Sequence, residues 1–130
     1  MKDLGLPTVD NIPLGIIGNS AIHGKGLFAV QDIPTGCILG VLDGQVVPWD
    51  DAYATSFEWN ALDKETLLVR PVRTKYGFIN HSRQPNTVIL YHPIRVVTLT
   101  NIAKDEEFTL DYRQEPLPDC YLNQHGSTYL

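Results

Sequence analysis

The feature that most constrains this chain is the shortness of its apolar runs. Residues 12–17, 27–30, 37–42, 45–47, 66–69, 87–91, 95–100 and 107–112 are each rich in Val, Ile, Leu, Phe or Thr, and none exceeds six residues. Runs of that length read as strands. Turn-forming groups stand between them: Gly24-Lys25-Gly26, Pro34-Thr35-Gly36, Asp43-Gly44 and His92-Pro93. Asp-Gly between two apolar runs predicts a hairpin joining 37–42 to 45–47. Helical signals are confined to one or two turns over residues 50–56 and a single turn over 74–78. The expectation is a small, mostly β domain.

Composition narrows the function classes. The chain has 130 residues and is 43% hydrophobic, which suits one domain over residues 1–130. Its core is expected over about 12–113, followed by an irregular tail, 114–130, that carries Pro116 and Pro118. A formal net charge of -5 argues against direct nucleic-acid binding, which needs clustered Lys and Arg. It is compatible with a basic peptide partner, although simple solubility accounts for it more readily. Cys37 and Cys120 form no CxxC pair, so neither a disulfide framework nor a metal site is expected. No secretory leader and no membrane-length apolar run is visible. An intracellular, reducing setting is the expectation.

Taken singly, the remaining motifs have modest readings. Gly24-Lys25-Gly26 lacks the context of a phosphate or dinucleotide loop and reads as a turn. The four histidines, at 23, 81, 92 and 125, have no metal-ligand spacing, and no Gly-x-Ser-x-Gly elbow supports a hydrolase. Asn80 to Asn86 is a polar turn held between apolar Phe78-Ile79 and Val88-Ile89-Leu90. Its Asn and Ser side chains suit local bonds to backbone. Phe108, Leu110 and Tyr112 alternate onto one face of the last strand and place a phenol at its end.

Together and in this order, these segments resemble the SET-domain family of protein-lysine methyltransferases. The opening Gly-x-Gly strand is matched by Gly24-Lys25-Gly26-Leu27-Phe28-Ala29, with Ile33-Pro34-Thr35-Gly36 after it. The central Phe-x-Asn-His-Ser-x-x-Pro-Asn motif is matched by Phe78-Ile79-Asn80-His81-Ser82-Arg83-Gln84-Pro85-Asn86. The closing motif is similar to Ile102-Ala103-Lys104-Asp105-Glu106-Glu107-Phe108-Thr109-Leu110-Asp111-Tyr112. Asp105 stands where the family has glycine, and Arg83 where many members have cysteine. Cysteine-rich flanking modules are missing, so the chain looks like the very short SET proteins of viruses and bacteria, some of which dimerise.

The resemblance implies several small β-sheets around a C-terminal pseudoknot, with short helical turns. It implies methyl transfer from S-adenosylmethionine to a lysine of a protein or peptide, with no metal. Lys25, Gly26, Leu27, Asn80, His81 and Tyr112 would meet the cofactor, and Tyr112 would also be catalytic. Tyr76, Phe78 and Leu110 would line or support a substrate channel. Tyr121 would either fold over the adenine or dangle with the tail. A catalytically weak module that binds cofactor or partner is the alternative, and a homodimer is a further implication.

Overall fold

The computed structural model describes residues 8–49, 57–114 and 116. The expected helical turn at 50–56, Cys120 and Tyr121 lie outside them. The fold is mostly β, built from three small sheets, as expected. β1 (Gly15–Asn19) and β2 (Lys25–Ala29) form an antiparallel hairpin in register from Gly15↔Ala29 to Asn19↔Lys25. A five-stranded sheet has the order β3-β9-β8-β10-β7. Its members are β3 (Ile38–Val41), β7 (Asn80–His81), β8 (Thr87–Leu90), β9 (Arg95–Thr98) and β10 (Thr109–Leu110). A three-stranded sheet places β6 (Thr66–Arg70) between β4 (Gln45–Pro48) and β5 (Glu58–Ala61). Among the described residues, helix is limited to 3-10 turns at Lys75–Phe78 and Tyr112–Gln114.

The Asp43-Gly44 hairpin does not form. β3 pairs with β9, whereas β4 pairs with β6. Leu42 N–H donates to Ile94 and ends the first pairing, and the Arg70 guanidinium then holds the Asp43 carbonyl at 3.1 Å. Gly44, with φ 156°, brings its backbone against the Val69 carbonyl. The Asp-Gly pair is thus where the chain changes sheets.

β5 carries no apolar run and escapes a reading based on hydrophobicity. Its Asn60 is fully buried by hydrogen bonds, donating to the Tyr76 hydroxyl at 2.7 Å and accepting from Arg70. Glu58 takes Arg70 Nε at 2.5 Å and the Thr74 N–H at 2.9 Å. A buried polar network of this kind is tolerable because its members satisfy one another.

The main core gathers Ile12, Leu27, Leu39, Ile79, Val96, Ile102, Phe108 and Leu110, all 3% exposed or less. Each such side chain contributes about 1.5–3 kcal/mol on burial. Ile12 belongs to this core without being in a strand, since Gly15 N–H closes a turn on its carbonyl. The last strand is shorter than the expected 107–112. Both of its faces are buried, Thr109 and Asp111 as well as Phe108 and Leu110. It lies between two parallel neighbours, so neither face reaches water.

Candidate active site

β10 runs parallel to β7 on one side, with Thr109↔Asn80 and Leu110↔His81, and parallel to β8 on the other, with Leu110↔Thr87. Residues 82–86 join those two flanking strands around the C-terminal strand. Asn86 holds the crossing. Its Oδ1 accepts the Thr109 N–H at 2.7 Å, its Nδ2 donates to the Glu107 carbonyl at 2.8 Å, and its N–H reaches Thr109 Oγ1. Thr87 Oγ1 donates to the Thr109 carbonyl at 2.7 Å. Threaded connections are rare in proteins, and these side-chain bonds hold this one in a single register.

Asn80 ties the crossing to the turn before β2. Its amide Nδ2 lies within 2.9–3.1 Å of Ser20 Oγ, the His23 and Lys25 carbonyls, and Glu107 Oε2. Ser20 Oγ sits 2.8 Å from both Glu107 carboxylate oxygens and receives the Ile22 and His23 N–H groups. Gly26 faces the same carboxylate, which occupies the place a Cβ would take. One carboxylate thus organises residues 20–26, β7 and the approach to β10. Gly24 adopts φ 45° with nothing within 4 Å of where a Cβ would project, so the outer side of this turn is open.

His81 and Tyr112 meet at the far end of the crossing. The Tyr112 backbone N–H donates to His81 Nδ1 at 3.1 Å. The neutral ring therefore carries its proton on Nε2. Ring centroids are 5.2 Å apart, and the Tyr112 hydroxyl donates to the Ile79 carbonyl. His81 Nδ1 also lies 3.8 Å from Asp111 Oδ1. Because Nδ1 is already an acceptor for Tyr112, we read that approach as proximity rather than an ion pair.

Asp111 is held from the other side. Arg113 Nε and Nη2 bind its two oxygens at 2.9 and 2.6 Å, and the Arg113 N–H adds a third bond. The Arg113 side-chain hydrogen bond lowers the Asp111 carboxyl below its ordinary 3.8, against an opposing push from burial. A carboxyl lowered in the folded state is protonated first in the unfolded chain. Its contribution is therefore whole above the unfolded pKa and is lost as pH falls through the folded one. The stability gap between the native chain and Arg113→Gln is expected to hold at neutral pH and to close only as pH falls below the ordinary 3.8 through the lowered folded value. Melting curves across that range check it, and a gap independent of pH contradicts it.

The remaining expected residues are more dispersed. Lys25 is exposed, its Nζ resting on Asn19 Oδ1 at 2.8 Å. Leu27 is sealed in the core, and its carbonyl accepts the Phe108 N–H just before β10 at 2.8 Å. Tyr76 is buried with its hydroxyl in the Asn60 network, supporting the turn that precedes Ile79. Phe78 is half-buried beneath the Arg73 guanidinium, and Leu110 is 1% exposed within the core. Among the described residues, no cluster of His, Cys, Asp and Glu could hold a metal ion.

A family model described as the SET domain matches residues 24–113, more than half of the chain. The chain belongs to the SET-domain family. No curated protein matches it. SET domains are generally methyltransferases that act on proteins and typically use S-adenosylmethionine. In this SET domain Asp105 takes φ 71° and fills the left-handed turn left to it by the missing glycine, a conformation Asp tolerates better than most residues. Ser20, Glu107 and Asp111 were not singled out from sequence. A carboxylate directly before apolar Phe108 was an available signal for Glu107. Ser20 had none, because its partner stands 87 residues away.

Proposed function

We propose that this chain is an S-adenosylmethionine-dependent protein-lysine N-methyltransferase. The observation that carries the reading is the coupling of Asn80 and Tyr112 through one crossing: the amide holds the turn at 20–25, and the phenol is fixed on the carbonyl just before that amide. The residues fit a cofactor bearing an ammonium and a sulfonium. Carbonyl oxygens of His23 and Lys25 and the Glu107 carboxylate gather around Asn80, beside the open side of Gly24. Oxygen acceptors of this kind favour cationic groups.

In this reading Lys25, Gly26, Leu27, Asn80 and His81 hold the cofactor, largely through backbone. S-adenosylmethionine supplies an activated methyl group when bound. The chain supplies alignment and exclusion of water. His81 fixes the backbone of Tyr112 from Nδ1, and Ile79 fixes its hydroxyl. With that proton committed to Ile79, the phenol oxygen faces an incoming amine as an acceptor. An ordinary lysine amine, with a pKa of about 10.4, must arrive neutral. An apolar approach beside a cation lowers that value. Phe78 and Tyr76 would wall or support the approach, and Leu110 would back it from the core. An intracellular protein or peptide lysine is the acceptor, and pairing with a second copy belongs to the same reading.

Titration calorimetry with S-adenosylmethionine tests the cofactor half. Saturable one-to-one binding is expected, weakened by Glu107→Ala through loss of the Ser20 and Asn80 bonds. Heats no larger than dilution at millimolar cofactor would sink the reading. No helix among the described residues is long and apolar enough to cross a membrane.

A further inference from the structure

A cavity of about 290 Å³ lies between the start of β5, the end of β6 and the Lys75–Phe78 turn, and the site above makes no use of it. Its walls include Phe57, Val72, Arg73, Glu58 and Arg70. Glu58 and Arg70 are spent on each other and on Thr74, Asn60 and the Asp43 carbonyl. Arg73 differs. Its guanidinium lies 4.1 Å from the centroid of the Phe78 ring, and among the described residues it takes part in no ion pair. Its backbone is fixed, since the Arg73 carbonyl accepts the Val9 N–H at 3.0 Å. Phe57 and Val72 offer exposed apolar surface beside it, at 48% and 46%.

A guanidinium held over an aromatic ring face still has N–H groups to offer a planar anion. With Glu58 neutralised by Arg70, the wall carries one positive charge that no carboxylate among the described residues pairs, on a chain of net charge -5. The cavity's size suits one or two side chains, not a cofactor. Its position links it to the reaction: Phe78 precedes Ile79, whose carbonyl fixes the Tyr112 hydroxyl.

We infer that this cavity is an acceptor subsite and that Arg73 selects an Asp or Glu side chain near the target lysine, a specificity that rests on the methyltransferase reading above. The carboxylate would bind the guanidinium while its methylenes lie on Phe57 and Val72.

The test is methyl transfer to a peptide array with one central lysine, in which Glu or isosteric Gln is walked through the flanking positions. The full chain is expected to favour Glu over Gln at one position or more by about fivefold in kcat/KM, carried by KM. In Arg73→Gln that ratio falls to about one, and in Arg73→Glu it inverts, with Gln favoured over Glu. Arg73→Lys keeps the charge without the guanidinium and retains part of the preference. It also reads the same question if Arg73→Gln fails to fold in a melting assay. Absence of an acid preference anywhere, or a preference that survives in Arg73→Gln, overturns the assignment and leaves the transferase reading standing. Absence of transfer to every peptide strikes the transferase reading itself, and this subsite with it.

Discussion

Tyr112→Phe is expected to slow methyl transfer by about two orders of magnitude or more while the fold and cofactor affinity persist. The ring stays, so its contact with His81, at 5.2 Å between centroids, is kept. The backbone N–H bond to His81 Nδ1 is also kept. What disappears is the hydroxyl on the Ile79 carbonyl. One such hydrogen bond contributes about 1 kcal/mol to stability, so a modest fall in melting temperature accompanies the variant. The loss of rate would be much larger, because in the proposed mechanism the phenol oxygen is the acceptor aligned with the amine. Single-turnover rates, read beside cofactor titrations, separate the two effects. An unchanged rate removes Tyr112 from the chemistry.

Asn80→Ala is expected to act on binding and stability together. The two N–H groups of the amide are shared among Ser20, His23, Lys25 and Glu107. Its loss releases two turn carbonyls and strips a donor from a half-buried carboxylate. A stability loss of about 2–3 kcal/mol follows from unsatisfied groups of this kind. Cofactor affinity should fall by about tenfold or more, since the turn would have to be ordered by the ligand. Asn80→Asp sharpens the point. It keeps the shape but sets a second carboxylate against Glu107 Oε2, now 2.9 Å from Nδ2. Like charges that close destabilise the fold at neutral pH. Part of the loss should return as pH falls toward the carboxylate range, opposite in sign to the Asp111 effect. Melting curves of both variants at two pH values check this.

The legible parts of the sequence were those where function and local pattern coincide. Apolar runs found β2, β3, β4, β6, β8 and β9 because each strand meets the core through Leu27, Leu39, Leu68, Ile89 or Val96, or follows a clear turn. The polar segment from Asn80 to Asn86 reads as a locally bonded loop, and Ser82 Oγ does bond the Gln84 N–H, but Asn80 opens β7 and the Asn80 and Asn86 side chains bond distant segments instead. What no local pattern revealed was the partner at a distance. Asp43-Gly44 has the chemistry of a hairpin turn, yet tertiary pairing with β6 and β9 overrides it. β5 is held by ionic and amide groups, so hydrophobic periodicity is silent there. Glu107 owes its role to Ser20, Gly26 and Asn80, three segments joined only by the fold. The alternation of Phe108, Leu110 and Tyr112 suggested one buried face, but insertion between β7 and β8 buries both.

The most direct measurement is mass spectrometry of lysate proteins incubated with the chain and isotopically labelled S-adenosylmethionine. Labelled methyl groups on lysine ε-nitrogens, present with the native chain and nearly absent with Tyr112→Phe, are the expected result. Label confined to other residues, or lysine label from the native chain no greater than from Tyr112→Phe or a no-protein control, would contradict the account.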